Sequence, residues 1–246
     1  MTAHTPVRNR DFRVLWDRSL PVSRDRSSRL TEQQIAGAAF SLADDGRLSV
    51  VSVKRVAARL GVPANRLEQY LHSRDDLLEL MFETALAEGE FRPSGDGGAD
   101  GLRSDVAALA RSTYALAIRH PWLVDLLASR TPSGPGGLRF VEQALDTFTR
   151  AGLSVPDAAV EFNTMLAYVA GSVRLSHQGE AGDQHPGERA RYLSEQVSAA
   201  DYPCLAELFS AGSAMSPAES FERGLDLLLE GICTRAVVSR PVGSEV

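Results

Sequence analysis

Three side chains suited to hydrogen bonding with the edges of nucleic-acid bases lie close together in the chain: Asn65, Arg66 and Gln69. The side chains of asparagine and glutamine can form two hydrogen bonds with the edge of adenine, and that of arginine can form two with guanine. In a helix of 3.6 residues per turn they lie away from Leu67 and Leu71, which predicts a polar outer face and a buried apolar one. Many surface helices carry such a polar face without binding anything, and the carboxylate of Glu68 would repel phosphate.

The positive charge of the chain is concentrated around this segment. The 246 residues together have a formal net charge of −6. Residues 47–74 carry six basic residues and one acidic residue, a net +5, and residues 1–29 carry seven arginines and three aspartates, a net +4. Two basic blocks on an acidic chain are typical of a small surface that binds nucleic acid. A randomly uneven surface accounts for the charges alone equally well.

Two short helices joined by a tight turn are predicted to position the polar side chains. Ser52 is the expected N-cap of the first, whose apolar residues recur with helical spacing at Val53, Val56, Ala57 and Leu60. Gly61 supplies the turn with a positive φ, and Pro63 opens the second helix. A helix from a Thr31 capping box to Gly46 precedes them. This order predicts a helix-turn-helix, whose second helix fits the DNA major groove.

The rest of the chain is also predicted to be helical, so the fold class is all-α. Ser73 caps a fourth helix, and the apolar periodicity predicts further helices at about 102–119, 121–129, 137–151, 156–177, 187–199, 202–211 and 217–237. The glycine-rich segment 92–101 is the best candidate for a boundary. We therefore expect a flexible basic arm over 1–29, a DNA-binding domain over 30–91 and a larger domain over 102–238.

The composition argues against several classes of protein. No apolar run of about 18 residues exists, so no membrane span is expected, and the polar N-terminal stretch does not resemble a secretory signal. Neither the two cysteines, Cys204 and Cys233, nor the five histidines have metal-binding or catalytic spacing. We therefore predict a cytoplasmic protein that is not an enzyme, with no catalytic residue, metal or cofactor.

Two stretches resemble the tetracycline-repressor (TetR) family of bacterial transcription regulators: "LTEQQIAGAAFSLADDGRLSVVSVKRVAARLGV" and "LHSRDDLLELMFETAL". The resemblance covers residues 30–87. The later segments "YVAGSV" and "FERGLDLLLEGI" resemble the all-α ligand-binding domain of the same family. The resemblance implies double-stranded operator DNA and a small-molecule effector as partners. It also implies a homodimer formed through helices 156–177 and 217–237.

The second helix departs from the family pattern. Glu68 stands where the family usually has a tyrosine that touches phosphate, and Tyr70 stands where it usually has histidine. Tyr70 either takes over the phosphate contact or lies at the edge of the core. Glu68 either pairs with a nearby arginine, which we favour, or accepts from a cytosine. With the basic block and the arm, the predicted DNA-binding residues are Arg29, Ser52, Lys54, Arg55, Asn65, Arg66, Gln69, Tyr70 and Arg74.

The effector pocket implied by the resemblance would lie among large side chains of the C-terminal helices: Trp122, Phe140, Phe148, Phe162, Met165 and Tyr168. Plain core packing is the alternative for each of them. The leading functional hypothesis is a ligand-responsive transcriptional regulator, a repressor that a small molecule releases from its operator. The alternative, motivated by Glu68 and Pro63, is a small-molecule or protein sensor with the family fold that has lost sequence-specific DNA binding.

Overall fold

A computed structural model of the chain describes residues 15–17, 30–89, 91, 93, 99–177, 186–198, 200–210 and 215–238. These residues form the helices α1 (Glu32–Gly46), α2 (Val53–Arg59), α3 (Ala64–Glu68), α4 (Arg74–Glu88), α5 (Ala99–Arg119), α6 (Leu123–Ser129), α7 (Pro135–Arg150), α8 (Val155–Ser176), α9 (Pro186–Gln196), α10 (Pro203–Ser210) and α11 (Pro217–Val238). The described part contains no strand, and the all-α fold class is confirmed. None of its helices is long and apolar enough to cross a membrane.

Side-chain caps fix the starts of the early helices where the sequence predicts them. The Thr31 hydroxyl accepts from the backbone N–H of Gln34, and the Gln34 side chain accepts from that of Thr31, which completes the capping box of α1. Ser52 and Ser73 each accept from the backbone N–H three residues further on, at 3.3 and 3.0 Å. Helix α1 ends at Gly46 as predicted, but Arg47 adopts the positive φ of 66° that follows it.

Packing divides the chain into two compact units. The first contains Met1–Glu90 and Arg119–Ala144, and the second contains Phe91–Ile118 and Leu145–Val246. The first therefore includes α1 to α4, α6 and the beginning of α7. The N-terminal part of this unit ends at Glu90, just before the glycine-rich segment 92–101. The packing of residues 119–144 in the same unit as the N-terminal helices was not predicted, because a local sequence pattern does not identify packing partners that are distant in sequence.

The core of the first unit lies between α1 and α4 and extends to α6. Phe40 on α1 packs against the rings of His120 and Trp122, with centroids 5.1 and 4.9 Å away. The Trp122 indole N–H donates to Asp44 at 2.7 Å, and His120 Nδ1 lies 3.0 Å from the same carboxylate. These bonds hold the end of α1 against the segment that opens α6.

The second unit is organised around α5, α8 and α11. Phe221 on α11 lies between two aromatic rings: it stacks on Tyr114 with centroids 3.9 Å apart and on Tyr168 at 5.6 Å. Arg111 on α5 donates two parallel hydrogen bonds to Glu222, at 2.9 and 2.7 Å. These hydrogen bonds hold the pKa of the Glu222 carboxyl below its usual value. Both contacts tie the start of α11 to its neighbours.

Candidate nucleic-acid interface

The turn between α2 and α3 has the geometry of a helix-turn-helix. Gly61 has the predicted positive φ, 67°, and a Cβ there would meet nothing within 4 Å, so the backbone angle alone favours glycine. The Val62 N–H donates to the Ala57 carbonyl at 3.0 Å and closes the end of α2. Pro63 is the N-cap of α3 rather than a residue of its first turn, and it provides no side-chain cap.

Helix α3 is anchored by one face and exposes the other. The helix is shorter than predicted, because it ends at Glu68 with Gln69 as its C-cap. The buried side is formed by Leu67 of α3 and by Tyr70 and Leu71 just after it, none of them more than 1% exposed. Asn65 and Gln69 are exposed on the opposite side, and Arg66 is half-buried with a contact of its own. Asn65 on α3 and Gln69 at its C-cap are thus exposed, as the sequence analysis expected, whereas Arg66 is only partly so. Their contact with base edges stays a prediction.

Tyr70 lies in the core, contrary to the prediction that it contacts DNA. Its side chain is 0% exposed, and its hydroxyl donates to Glu32 on α1 at 2.7 Å. A hydroxyl held in this way cannot reach a phosphate without unpacking α3. The spacing of Leu67, Tyr70 and Leu71 at i, i+3 and i+4 already indicated the buried face. The second alternative for Tyr70, a core position, is the one observed.

Two arginines predicted to bind DNA bind backbone carbonyls of their own chain. Arg74, at the start of α4, donates from Nε to the Val51 carbonyl at 3.1 Å and from Nη2 to the Leu48 carbonyl at 2.6 Å. Arg55 donates to the Val50 carbonyl at 3.2 Å. Both guanidinium groups therefore hold the short 3₁₀ turn that leads into α2. The sequence analysis missed this role, because the sequence does not show whether an arginine donates to a DNA phosphate or to a carbonyl of its own chain.

The remaining residues of the predicted DNA-binding set differ in their surroundings. Lys54 is exposed on α2 and has no hydrogen bond or ion pair with any residue that the structure describes. Ser52 uses its hydroxyl oxygen as the cap of α2. Arg29 and the rest of the predicted arm, apart from 15–17, lie outside the described residues. On α2, Arg55 and Arg59 are engaged within the chain, whereas the charge of Lys54 is not engaged by any described residue.

A row of carboxylates on α4 binds the segment between α6 and α7. Asp75 and Glu79 both pair with Arg130. Glu83, only 3% exposed, accepts from the backbone N–H of Ser133 at 3.1 Å and from that of Gly137 at 2.6 Å. Glu83 therefore caps the start of α7. The helix that follows α3 is in this way fastened to a segment 50 to 55 residues away.

The six side chains predicted to line an effector pocket are divided between the two units. Trp122 and Phe140 are buried in the first unit, Trp122 with its indole on Asp44. Phe148, Phe162 and Met165 are buried in the second. Tyr168 is half-buried, and its hydroxyl donates to the Phe221 carbonyl at 2.6 Å, so that its polar end is already used within α8 and α11.

The family model described as "Tetracyclin repressor-like, C-terminal domain" matches residues 92–236. The chain belongs to the tetracycline-repressor (TetR) family of transcriptional regulators. The match begins after α2 and α3, which form the helix-turn-helix. Transcriptional regulation, the function expected from the sequence, is therefore confirmed.

Two relatives align with nearly the whole TetR chain. The HTH-type transcriptional repressor DrrR1 of Streptomyces coeruleorubidus is 29% identical over 231 residues, 91% of this chain and 84% of that one. An HTH-type transcriptional regulator of Saccharopolyspora erythraea is 30% identical over 229 residues, 91% of this chain and 92% of that one. The structure of ActR from Streptomyces coelicolor in complex with actinorhodin has the same fold, with a TM-score of 0.70 at 23% identity, covering 85% of this chain and 99% of ActR.

Proposed function

We propose that this TetR-family protein is a repressor that binds operator DNA as a homodimer and leaves it when a small molecule binds its C-terminal domain. The observation that carries the DNA-binding part is the exposure of Asn65 on α3 and of Gln69 at its C-cap, beside buried residues that anchor the helix. Two amide side chains one turn apart can each make a two-point contact with adenine in the major groove. The protein would act in the cytoplasm, where its DNA lies.

The residues of α2 would position the protein on the sugar-phosphate backbone. Lys54 is exposed, and the Ser52 hydroxyl can still donate its proton while its oxygen caps α2. Such contacts carry little sequence information, but they fix the register in which α3 enters the groove. We assign Arg55 and Arg74 a different role, because their bonds to Val50, Val51 and Leu48 shape the turn that sets the position of α2.

Replacing Lys54 with alanine should weaken binding to specific and non-specific DNA alike. Each phosphate contact contributes about 0.9 to the slope of log K against log salt, so a dimer that loses two contacts should show a slope about 1.8 smaller. The measurement is a salt titration of binding to the DNA upstream of the protein's own gene, followed by fluorescence anisotropy. Arg139→Ala, which removes an exposed charge from α7, is the control and should leave the slope unchanged. An unchanged slope for Lys54→Ala would contradict the proposed contact.

The proposed dimer is formed by α8 and α11. These helices pack against each other within the second unit, where Arg235 on α11 pairs with Glu161 on α8 at 3.0 Å. Their outer surfaces expose Leu175 and Leu227. A Cβ on Gly171 or Gly231 would meet nothing within 4 Å, so another helix can approach both backbones closely. A second copy covering this surface would supply the second α3 that a two-fold operator needs.

The effector is proposed to bind in the second unit beside Phe148, Phe162 and Met165, which are buried. Apolar and aromatic side chains supply most of the contact area of small-molecule sites. ActR, whose fold this chain shares, has been solved in complex with actinorhodin, which is therefore the first compound to test.

Phe162→Leu should raise the actinorhodin concentration that releases half of the bound DNA by roughly fivefold, because a lost aromatic contact weakens binding by about 1 kcal/mol. DNA affinity without the compound should be unchanged. Phe40→Leu, at an equally buried ring in the first unit, is the control. An equal shift for both variants would contradict a pocket at Phe162.

A further inference from the structure

Glu68 carries an exposed carboxylate on the face of α3 that would read DNA. On a helical wheel it lies one step of about 60° from Asn65, on the side opposite to Arg66. No hydrogen bond or ion pair joins its carboxylate to any residue that the structure describes. The intramolecular pairing with a nearby arginine, which the sequence analysis favoured, is therefore absent from the described part of the chain.

Arg66, the arginine nearest to Glu68 in sequence, has a contact of its own, and the next nearest arginines are engaged as well. Arg55 and Arg74 bind carbonyls of residues 48–51, and Arg59 binds Ser41 and lies 3.7 Å from Asp45. Releasing any of these groups to pair with Glu68 would break a bond that shapes α1, α2 or the turn between them. An exposed ion pair contributes at most about 1 kcal/mol, too little to favour the exchange. The carboxylate is thus left facing outward.

An ionised carboxylate can only accept hydrogen bonds, which limits what it can face in the major groove. Guanine and thymine present acceptors there, O6 and N7 in guanine and O4 in thymine, and would repel it. Adenine presents its N6 amino donor next to the acceptor N7, which would also repel the carboxylate. Cytosine presents only the N4 amino donor, and is therefore the base whose own edge contains nothing that repels a carboxylate.

We propose that Glu68 determines operator specificity by accepting a hydrogen bond from the N4 amino group of one cytosine in each half-site. This inference rests on the proposed function, since it requires α3 to enter the groove. The same carboxylate repels the phosphates of every sequence, so it weakens binding wherever no cytosine compensates. Glu68 therefore acts mainly by rejecting the wrong base, whereas Asn65 and Gln69 act by attraction.

The test is a selection of bound sequences from random double-stranded DNA by the full-length wild-type chain, by Glu68→Gln and by Glu68→Ala. Glu88→Gln, the same change at an exposed position near the end of α4, is the control. The wild type and the control should select cytosine at one position of each half-site. In both Glu68 variants this preference should fall by roughly tenfold at that position and stay unchanged elsewhere. Their affinity for non-specific DNA should rise.

Two results would overturn the inference, and they are distinguishable. A wild-type chain that enriches an operator whose base preferences survive Glu68→Gln and Glu68→Ala overturns this inference alone. A wild-type chain that enriches no sequence overturns the proposed function and this inference with it. Because Glu68 is exposed and lacks partners among the described residues, the variants should fold normally, which circular dichroism verifies.

Discussion

Replacing Glu83 with alanine is expected to lower the free energy of unfolding by about 3 kcal/mol. The carboxylate is buried and accepts hydrogen bonds from the backbone N–H groups of Ser133 and Gly137. Without it both donors lose their partner, and an unsatisfied buried donor costs about 1–3 kcal/mol. A side chain at Gly137 would not fit either, because its Cβ would lie 2.5 Å from Glu83 Oε1. The acid and the glycine therefore form one capping site for α7.

Urea unfolding of three variants measures this effect. Glu83→Gln should lower the free energy of unfolding by less than Glu83→Ala does. The amide oxygen can still accept one of the two hydrogen bonds, whereas the NH₂ group cannot accept the other. Glu88→Ala, an exposed acid on the same helix, should change the free energy of unfolding by less than about 0.5 kcal/mol. If Glu83→Ala behaved like Glu88→Ala, the capping role would be wrong. These hydrogen bonds also fasten α4, the helix that follows α3, to the segment between α6 and α7 within the first unit.

Replacing both Asn65 and Gln69 with alanine is expected to reduce affinity for the operator at least about 100-fold. Each two-point contact with a base contributes about 1–3 kcal/mol of discrimination, and a dimer would lose four of them. Affinity for non-specific DNA should stay within a factor of about two, because neither amide supplies charge to the phosphates.

The comparison needs a variant that loses an amide elsewhere. Gln196→Ala, at an exposed position of α9, serves this purpose and should bind the operator as the wild type does. Competition binding at one fixed salt concentration gives both affinities. A double variant that lost specific and non-specific binding equally would point to a general effect on α3 rather than to the reading of bases.

Features set by short-range contacts could be predicted from the sequence. The caps at Thr31, Ser52 and Ser73 and the positive φ of Gly61 depend on residues no more than three positions away. The outward direction of Asn65 and Gln69 followed in the same way from helical periodicity. These local features predicted the two helices and their turn, and the resemblance to the TetR family decided that they form a helix-turn-helix.

Contacts between distant residues could not be predicted in this way. Arg74 looked like a phosphate ligand because its charge is visible in the sequence, whereas the carbonyls of Leu48 and Val51 that it binds are not. The partners of Glu83 lie 50 and 54 residues away, and the partner of Tyr70 lies 38 residues away. In each case the residue type was informative and the partner was set by tertiary packing.

The central claim, that α3 reads DNA in a sequence-specific manner, is tested most directly by one ratio. It is the affinity of the wild-type dimer for the DNA selected from a random pool, divided by its affinity for DNA of scrambled sequence, both at about 150 mM salt. The affinity of a specific regulator for its own site exceeds its affinity for non-specific DNA by a factor of about 10³ or more, and we predict a ratio in that range. A ratio near one would contradict the claim and favour a sensor that keeps the TetR fold without reading DNA.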